Sequence, residues 1–541
     1  MELVSTEQMR DIEQRASLEY GLEPRTLMES AGLAAFGLVK RVLGGSVDGR
    51  RILICAGKGN NGGDALVLAR YLANAGGRVI IVLVADSRSL QGLAAEVLLP
   101  ISRMIEAQNK HPIADRQRIK LIECSEPNWP AALKESLPVD LVVDGLLGTG
   151  IKSPLSGVYR ELVTLINSLE CPCVALDIPT GVNPDTGEVD EVCIKADHTI
   201  TFGRPKLGLL SYPAYDFIGQ LTVNTIGIPD SLVRQAAASQ VWVRPELVAA
   251  LLPPRPASAH KGSFGHVLTI GGSMGLTGAA CLAAMAVLRS GAGKSTLAGP
   301  ASLHSVLATK LTEVMTVPLP ETEAHSISTK ANEVIKTLGE FEAILVGPGL
   351  STYPETTRFL LDFLTVVQGS LVLDADALNI MATDRKAFSS LLADSSVPPV
   401  LTPHPAELAR LLGISTHEVQ KSRVAMAREA ARRWQSIVVL KGANTVIATP
   451  TGMVYVNTTG GSELATAGTG DVLAGIIAGF IAQGAHPEAA AIIGVYLHGL
   501  SGTKARQAGL GAGLVAGDLL DYLPFAIEEC WQNRLGSECN G

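Results

Sequence analysis

Short apolar runs that lead into polar, glycine-rich loops recur along the first half of the chain. The runs at 51–57, 141–150 and 174–181 each begin with aliphatic residues and end among Gly, Asn, Asp or Thr. Residues 6–43 and 65–76 instead carry apolar side chains at helical spacing. Strands that alternate with helices predict a parallel sheet, whose following loops gather at its carboxyl edge. We therefore expect a ligand site at that edge.

The second half repeats this alternation and predicts a second parallel α/β layer. Its apolar runs enter the loops GGSMG, GPG, DADALN, PHPAE and KGANT. His404 is a lone histidine between two prolines. A lone histidine in a loop more often has a structural role than a functional one, and both alternatives are open for His404. A lysine-led turn, Lys441–Thr445, is either a plain connection between strands or a contact to a nucleotide phosphate.

The sharpest change of pattern lies at 457–482, where a Gly, Ser and Thr stretch passes into an apolar helix. Small residues at 468–470 predict a tight turn that exposes backbone N–H groups. The start of the helix adds unpaired N–H groups and a positive dipole end, which together predict a phosphate site. Asp471 is predicted at the N-cap, where it either caps the helix or accepts a proton from a substrate hydroxyl.

Composition narrows the class of protein. With 541 residues and 47% hydrophobic residues, we expect more than one packed domain. The net charge of −8 and the lack of a Lys/Arg block predict no nucleic-acid partner. The apolar run 472–482 is too short for a membrane span, and the charged N-terminus is unlike a signal peptide. Eight cysteines without paired CxxC motifs predict no zinc site and fit a reduced, cytoplasmic protein.

Small residues and then a Pro-, Ser- and Gly-rich stretch interrupt the pattern after residue 230. We therefore expect two domains, 1–235 and 236–530. Each is predicted to be α/β: a Rossmann-like three-layer domain, then a second three-layer domain.

Polar side chains follow three strands of the first domain. Asn60, Asn61 and Asp64 follow the first run, and Asp144 and Thr180 follow the two others. Amide, hydroxyl and carboxylate oxygens in one place suit a hard cation. The alternative is that Asp64 and Asp144 cap helices or hold turns.

The motifs LMESAG, GKGNNGGDA, VVDGLLGTG, DIPTG and TFGRPK together resemble the NAD(P)H-hydrate epimerase, or YjeF N-terminal, domain. The similarity extends from about Thr6 to Pro229. Ala65 stands where the family usually has glycine. Thr180 stands where it often has serine, and the threonine keeps the hydroxyl group.

This resemblance implies a hydrated NADH or NADPH substrate (NADHX or NADPHX), with Asp177 as the catalytic carboxylate at the nicotinamide end. It implies a potassium ion held by Asn61, Asp144 and Thr180. The substrate-binding residues that it implies are Asn60, Asn61, Gly62, Gly63, Asp64, Gly148, Thr149, Gly150, Ile151, Lys152, Ser153, Pro154 and Asp177.

The ordered motifs GGSMGLTGA, GPG, DADALN, PHPAE, KGANT and GTGD resemble the ADP-dependent NAD(P)H-hydrate dehydratases, which have the ribokinase-like fold. The similarity covers roughly Val243 to Leu523, and Glu463 departs from the small residue usual in the family. The resemblance implies that Asp471 is the base acting on the C6 hydroxyl, with Mg²⁺ on the phosphates. Substrate contacts are implied for Ala279, Gly349, His404 and Asp471, and ADP contacts for Lys441, Gly442, Ala443, Asn444, Thr445 and Gly470.

Both halves thus predict a bifunctional enzyme, an isomerase and a lyase, that repairs hydrated NAD(P)H with ADP as co-substrate. We also expect a homo-oligomer, with a tetramer as one option. The alternative is a ribokinase-like small-molecule kinase fused to a non-catalytic Rossmann-like binding module.

Overall fold

The computed structural model describes residues 1–110, 118–150, 154–236, 239–367, 369–393 and 397–538. The chain forms two compact units. The first is Glu2–Ala238, and the second is Ser239–Gly541 together with Met1.

The first unit is built on a sheet in which, among the described residues, seven strands all run parallel to their neighbours. The strands are β1 (Arg51–Ala56), β2 (Arg78–Leu83), β3 (Ile119–Glu123), β4 (Leu141–Gly145), β5 (Cys173–Leu176), β6 (His198–Phe202) and β7 (Gln220–Asn224). Their order is β3-β2-β1-β4-β5-β6-β7. The direction of winding reverses between β1 and β4, the position where Rossmann-like sheets open a ligand crevice.

Helices cover both faces of this sheet. They are α1 (Thr6–Tyr20), α2 (Pro24–Val42), α3 (Asn60–Asn74), α4 (Gly92–Lys110), α5 (Trp129–Lys134), α6 (Gly157–Asn167) and α7 (Asp230–Ala236). Because side chains alternate along a strand, Ile52 and Ile54 pack in the core with α2 and α3. Leu53 and Cys55 pack on the other face with α6. The apolar runs that predicted these strands are continuous along the sequence because both faces of the sheet are buried.

Helix α3 begins earlier than the sequence pattern indicated, at Asn60 rather than Ala65. The asparagines and glycines of GNNGGD form its first turn instead of a loop. Gly62 permits this, because a Cβ there would overlap the carbonyl oxygen of Gly57.

The second unit contains, among its described residues, a ten-stranded sheet of order β11-β10-β9-β12-β13-β14-β15-β16-β17-β8. The strands are β8 (Gln240–Trp242), β9 (His266–Ile270), β10 (Lys294–Pro300), β11 (Met315–Leu319), β12 (Ala343–Val346), β13 (Ser370–Leu373), β14 (Val400–Leu401), β15 (Ile437–Leu440), β16 (Thr445–Ala448) and β17 (Val454–Asn457). Strand β16 is antiparallel to β15 and β17, and the other neighbours are parallel.

The helices of the second unit are α8 (Pro245–Leu251), α9 (Thr277–Arg289), α10 (His304–Lys310), α11 (Ala331–Ile335), α12 (Pro354–Val366), α13 (Asp376–Thr383), α14 (Arg385–Ala393), α15 (Pro405–Leu412), α16 (Thr416–Lys421), α17 (Arg423–Arg433), α18 (Thr469–Ala482), α19 (Pro487–Gln507) and α20 (Ala516–Glu538). Helix α18 lies in the core of the second unit, and its residues are accordingly apolar on nearly all sides. It packs on α9, α19 and the sheet. A Cβ at Gly475 would overlap the backbone of Ala283, so glycine lets α18 and α9 approach closely.

The two predicted α/β units with parallel sheets are confirmed. Among the described residues, no helix combines the length and apolar character that crossing a membrane requires.

Candidate active sites

The first site lies at the carboxyl ends of β1, β4 and β5. Thr180 donates from its amide N to Oδ2 of Asp144 at 2.7 Å and from Oγ1 to Oδ1 at 2.8 Å. The amide of Leu147 donates to Thr180 Oγ1 at 3.1 Å. The loops after β4 and β5 are therefore joined through Asp144, as the turn-holding alternative proposed. Burial raises the pKa of Asp144 to about 6, against the lowering effect of these hydrogen bonds.

The amide side chain of Asn61 faces the same place. It is buried, and within the described part of the chain neither Oδ1 nor Nδ2 has a hydrogen-bond partner. Buried amide groups are almost always paired, so this amide has hydrogen-bonding and ligand capacity that an ion, a water molecule or a substrate could use. A Cβ added to Gly148 would lie 3.3 Å from Cβ of Asn61 and 3.4 Å from Oδ2 of Asp177. Asn61, one of the predicted ion ligands, and Asp177, the predicted catalytic carboxylate, thus meet at Gly148.

Asp177 has a positive φ of 59°, an uncommon conformation that costs on the order of 1 kcal/mol or more unless its surroundings impose it. Lys206 Nζ donates to Asp177 Oδ1 at 2.6 Å, and Thr201 Oγ1 donates to the same atom at 3.0 Å. Sequence reasoning missed both partners. The only signal was TFGRPK, the motif that contains them.

Of these residues, Asn61, Gly148, Asp177 and Lys206 line a cavity of about 780 Å³. The predicted residues that line it are Asn60, Asn61, Asp64, Gly148, Thr149, Gly150 and Asp177. Gly62 and Gly63 are buried in the first turn of α3 and Pro154 is exposed, while Ile151, Lys152 and Ser153 lie outside the described residues.

Helix α1 adds a carboxylate to this cavity that the sequence did not single out, Glu13. Burial raises the pKa of Glu13 and raises that of Asp64 well above its usual range. The charge of Asp177 also raises both pKa values, and that of Lys206 lowers both. The cavity therefore contains three carboxyl groups and one ammonium group in mutual electrostatic contact.

The second site lies at the start of α18. The N-cap of this helix is Gly468, with a φ of 90°, and Asp471 is its third residue. The prediction that Asp471 is the N-cap was wrong, because the glycine reaches the left-handed conformation that begins the helix earlier. Asp471 therefore lies inside the first turn of the helix and not at its N-cap position.

Asp471 faces a group of charged residues at the carboxyl ends of β13 and β15. Its pKa is raised to about 7, chiefly by burial and then by the charge of Asp374; the charge of Lys441 lowers it and that of Asp376 raises it. Lys441 Nζ donates to Asp374 Oδ1 at 2.7 Å, and a Cβ at Gly470 would lie 3.1 Å from Lys441 Nζ. The sequence named Lys441 and Gly470 but missed Asp374, which lies inside DADALN.

His404 has a structural role in this fold, which was one of its two predicted roles. It is the N-cap of α15, where its Nδ1 accepts hydrogen bonds from the amides of Ala406 and Glu407. Glu407 accepts in return from the amide of His404 at 2.7 Å. Burial raises the pKa of Glu407 to about 7, and the charge of Lys441 lowers it. Glu407, missed from the sequence, therefore connects His404 electrostatically with Lys441.

The turn after Lys441 is exposed, and the Arg423 side chain holds the backbone that leads into it. Arg423 NH2 donates to the carbonyl oxygens of Leu440 at 3.1 Å and Lys441 at 3.2 Å. Gly442 has a φ of 128° and Asn444 a φ of 49°. Thr445 Oγ1 donates to the carbonyl of Gly442 at 2.9 Å, which closes the turn.

The remaining predicted residues are Gly349, which follows β12, and Ala279, which lies in α9. Ser273 Oγ donates to the carbonyl of Gly349 at 2.9 Å, and Asp376 accepts from the amide of Ser351 at 2.9 Å. Ala279 is half-buried in α9. One turn further along this helix, Leu282 Cδ1 lies 2.8 Å from a Cβ added to Gly468. Lys441 and Gly470 thus meet at the start of α18, and Ala279 lies one turn before Leu282, which faces Gly468.

Two family models match the chain. The model described as YjeF-related protein N-terminus matches residues 24–208, and the one described as NAD(P)H-hydrate dehydratase matches residues 267–524. The bifunctional NAD(P)H-hydrate repair enzyme of Moorella thermoacetica is 44% identical over 534 residues, covering 97% of both chains. That of Thermofilum pendens is 37% identical, covering 97% of this chain and 96% of its own. Among solved structures, the ADP/ATP-dependent NAD(P)H-hydrate dehydratase of Bacillus subtilis, co-crystallised with ATP/Mg²⁺, is 32% identical over 54% of this chain and 98% of its own, with a TM-score of 0.47.

Proposed function

The chain belongs to the family of bifunctional NAD(P)H-hydrate repair enzymes, and we propose that each of its units carries one of the two activities. The first, about 1–235, interconverts the R and S hydrates of NADH and NADPH. The second, about 236–530, dehydrates the S hydrate at the expense of ADP. The observation that carries the assignment is that each unit places one catalytic carboxylate, Asp177 or Asp471, among the loops at the carboxyl ends of its parallel strands.

In the second unit, Asp471 takes the proton of the C6 hydroxyl as the terminal phosphoryl group of ADP is transferred to that oxygen. Hydroxide is a poor leaving group, whereas phosphate is a good one. Its departure from C6 and the loss of a proton from the neighbouring carbon restore the dihydronicotinamide ring, leaving AMP and phosphate. A pKa of about 7 suits Asp471 to this role at neutral pH.

Around Asp471, the hydrated nicotinamide contacts Ala279, Gly349 and His404. The nucleotide phosphates take the backbone N–H groups of Gly470 and of the turn Lys441–Thr445, with the ammonium group of Lys441 beside them. Among the described residues, no group of three or more His, Cys, Asp or Glu side chains is arranged to hold a metal ion. When bound, Mg²⁺ would neutralise charge on the nucleotide phosphates, as is usual for magnesium.

In the first unit, Asn61, Asp144 and Thr180 would hold a potassium ion. Support comes from the buried, unpaired amide of Asn61, whose main chain lies beside Gly145, and from the carboxylate and hydroxyl oxygens of Asp144 and Thr180, which meet at 2.8 Å. When bound, such an ion would supply positive charge to the site. Asp177 moves the proton of the C6 hydroxyl while the ring opens and closes.

The test is a chemically hydrated NADH mixture of R and S forms, followed by the return of NADH absorbance with and without ADP. We expect full recovery with ADP and none without it. Potassium is tested by replacing K⁺ with Li⁺, which slows recovery of the R form only. A stable phosphorylated compound without any NADH would overturn the proposal in favour of a small-molecule kinase. The homo-oligomer and the cytoplasmic location stay predictions.

A further inference from the structure

We propose that Lys206 is a positioning residue of the epimerase site, which holds one oxygen of Asp177 and leaves the other to the substrate. The inference rests on the proposed epimerase function of the first unit. It assigns a role to a residue that sequence reasoning did not include in the site.

The first observation is that every hydrogen bond to the Asp177 carboxylate within the described residues reaches the same oxygen. Lys206 Nζ donates to Oδ1 at 2.6 Å, Thr201 Oγ1 donates at 3.0 Å and the amide of Phe202 approaches at 3.5 Å. A carboxylate oxygen has about two lone pairs, so Oδ1 is saturated. It has no capacity left for a proton from a substrate.

The second observation is the direction of the other oxygen. A Cβ added to Gly148 would lie 3.4 Å from Oδ2, and Gly148 lines the cavity. The Asp177 side chain is 15% exposed, whereas that of Lys206 is 2% exposed. Lys206 borders the same cavity, but its ammonium group is almost fully buried against Oδ1, whereas Oδ2 lies beside Gly148.

The third observation is that Lys206 is itself fixed. Its Nζ also donates to the carbonyl oxygen of Phe202 at 3.1 Å and to Thr201 Oγ1 at 3.3 Å. With Asp177 as its third acceptor, all three donors of the ammonium group are used. A buried ammonium group with no free donor is suited to holding a partner in place, not to binding a substrate.

The reaction explains why this arrangement matters. As Oδ2 accepts the proton of the C6 hydroxyl, a C=O bond forms at C6 and the C6–N1 bond breaks. Its electron pair goes to N1, and the proton held on Oδ2 passes to N1. After rotation about the C5–C6 bond, N1 attacks C6 again and its proton returns through Oδ2 to the oxygen, which gives the opposite configuration. Lys206 holds Oδ1 of Asp177 in place, so that Oδ2 stays directed at the reacting hydroxyl in the cavity that Glu13 and Asp64 also line.

The test is a double-mutant cycle on the full chain, measuring kcat and KM for conversion of the R hydrate. Lys206→Met should lower kcat by about 100-fold or more while KM changes little, because proton transfer is lost and binding is not. Asp177→Asn should do the same. The two changes together should be no worse than Asp177→Asn alone, since Lys206 acts only through Asp177.

Two further variants supply a control and a substitute for this test. Lys120→Met removes a lysine of the same unit whose Nζ donates to Ala132 O and Ser136 Oγ, and it should leave epimerisation unchanged. Should Lys206→Met not fold, Thr201→Val removes the other side-chain donor to Oδ1 and should lower kcat by about fivefold. Additive losses in the cycle, or a loss confined to KM, would overturn the role of Lys206. A wild-type chain that does not epimerise at all would instead overturn the proposed function.

Discussion

Lys441 and Asp374 form an ion pair at 2.7 Å, in which Asp374 is 1% exposed. The two residues directly follow β15 and β13, so the pair joins two loops at the carboxyl edge of the sheet. It also places the lysine ammonium group beside Gly470, in the first turn of α18. One contact thus contributes both to the stability of the second unit and to its anion site.

Lys441→Met should destabilise the second unit by about 3–5 kcal/mol, because it leaves a buried carboxylate without its partner. Lys441→Met combined with Asp374→Leu should recover much of that loss, since no charge then stays buried. Neither variant should dehydrate the S hydrate. Thermal unfolding monitored by circular dichroism tests the order of stabilities. A Lys441→Met chain that melts like wild type would contradict the buried-pair interpretation.

Asp471→Asn should abolish recovery of NADH from the S hydrate, because the amide cannot accept the hydroxyl proton. ADP binding should stay nearly unchanged, since the phosphates contact backbone N–H groups and Lys441 rather than Asp471. Turnover assays and calorimetric ADP titration of the same preparation separate the two effects. Epimerisation by the first unit serves as the internal control. Near-normal turnover would remove Asp471 from the mechanism.

The dehydratase rate should rise with pH through about 7. Burial raises the pKa of Asp471 to about 7, and the base is competent only when unprotonated. Stability should change in the opposite direction. Between the usual value of 3.8 and about 7, the folded protein keeps a proton that the unfolded chain has lost, so the unfolding free energy falls as pH rises. Urea titrations of wild type and Asp471→Asn test this, and the variant should show a weaker pH dependence.

Asp177→Asn should make the repair of an R,S mixture biphasic. With ADP present, the S portion should convert at the wild-type rate because the second unit is unaltered. The R portion should convert only at the spontaneous rate of epimerisation. Absorbance in the NADH band follows both phases in one trace. If the variant trace superimposes on that of wild type, Asp177 is not an epimerase residue.

ADP should be a better phosphoryl donor than ATP, with AMP as the product. The start of α18 offers the N–H groups of one helix terminus, which suit about one phosphate group. The additional phosphate of ATP would extend toward Asp471 and crowd the hydroxyl. Product analysis at equal concentrations of the two nucleotides is the measurement. Faster turnover with ATP, yielding ADP, would reverse the donor assignment and leave the reaction class intact.

The sequence by itself determined the two α/β units and the family, and this membership confirms the predicted isomerase and lyase activities. The units were predictable because strands buried on both faces leave continuous apolar runs in the sequence. The family was predictable because each ligand loop directly follows a strand and is therefore a short, continuous motif. The loops of Asn61, Asp144 and Thr180 were predicted to meet for this reason, and they do.

Tertiary structure alone decided where helices α3 and α18 begin and which partners hold the catalytic groups. Each helix begins among small residues whose conformation depends on close packing or a positive φ, which residue pattern does not encode. Lys206 and Asp177 are 29 positions apart, and Lys441 and Asp374 are 67 apart. Such pairs form only when the strands of the sheet are aligned in register, with β5 beside β6 and with β14 between β13 and β15, so their chemistry belongs to the folded sheet and not to any one segment.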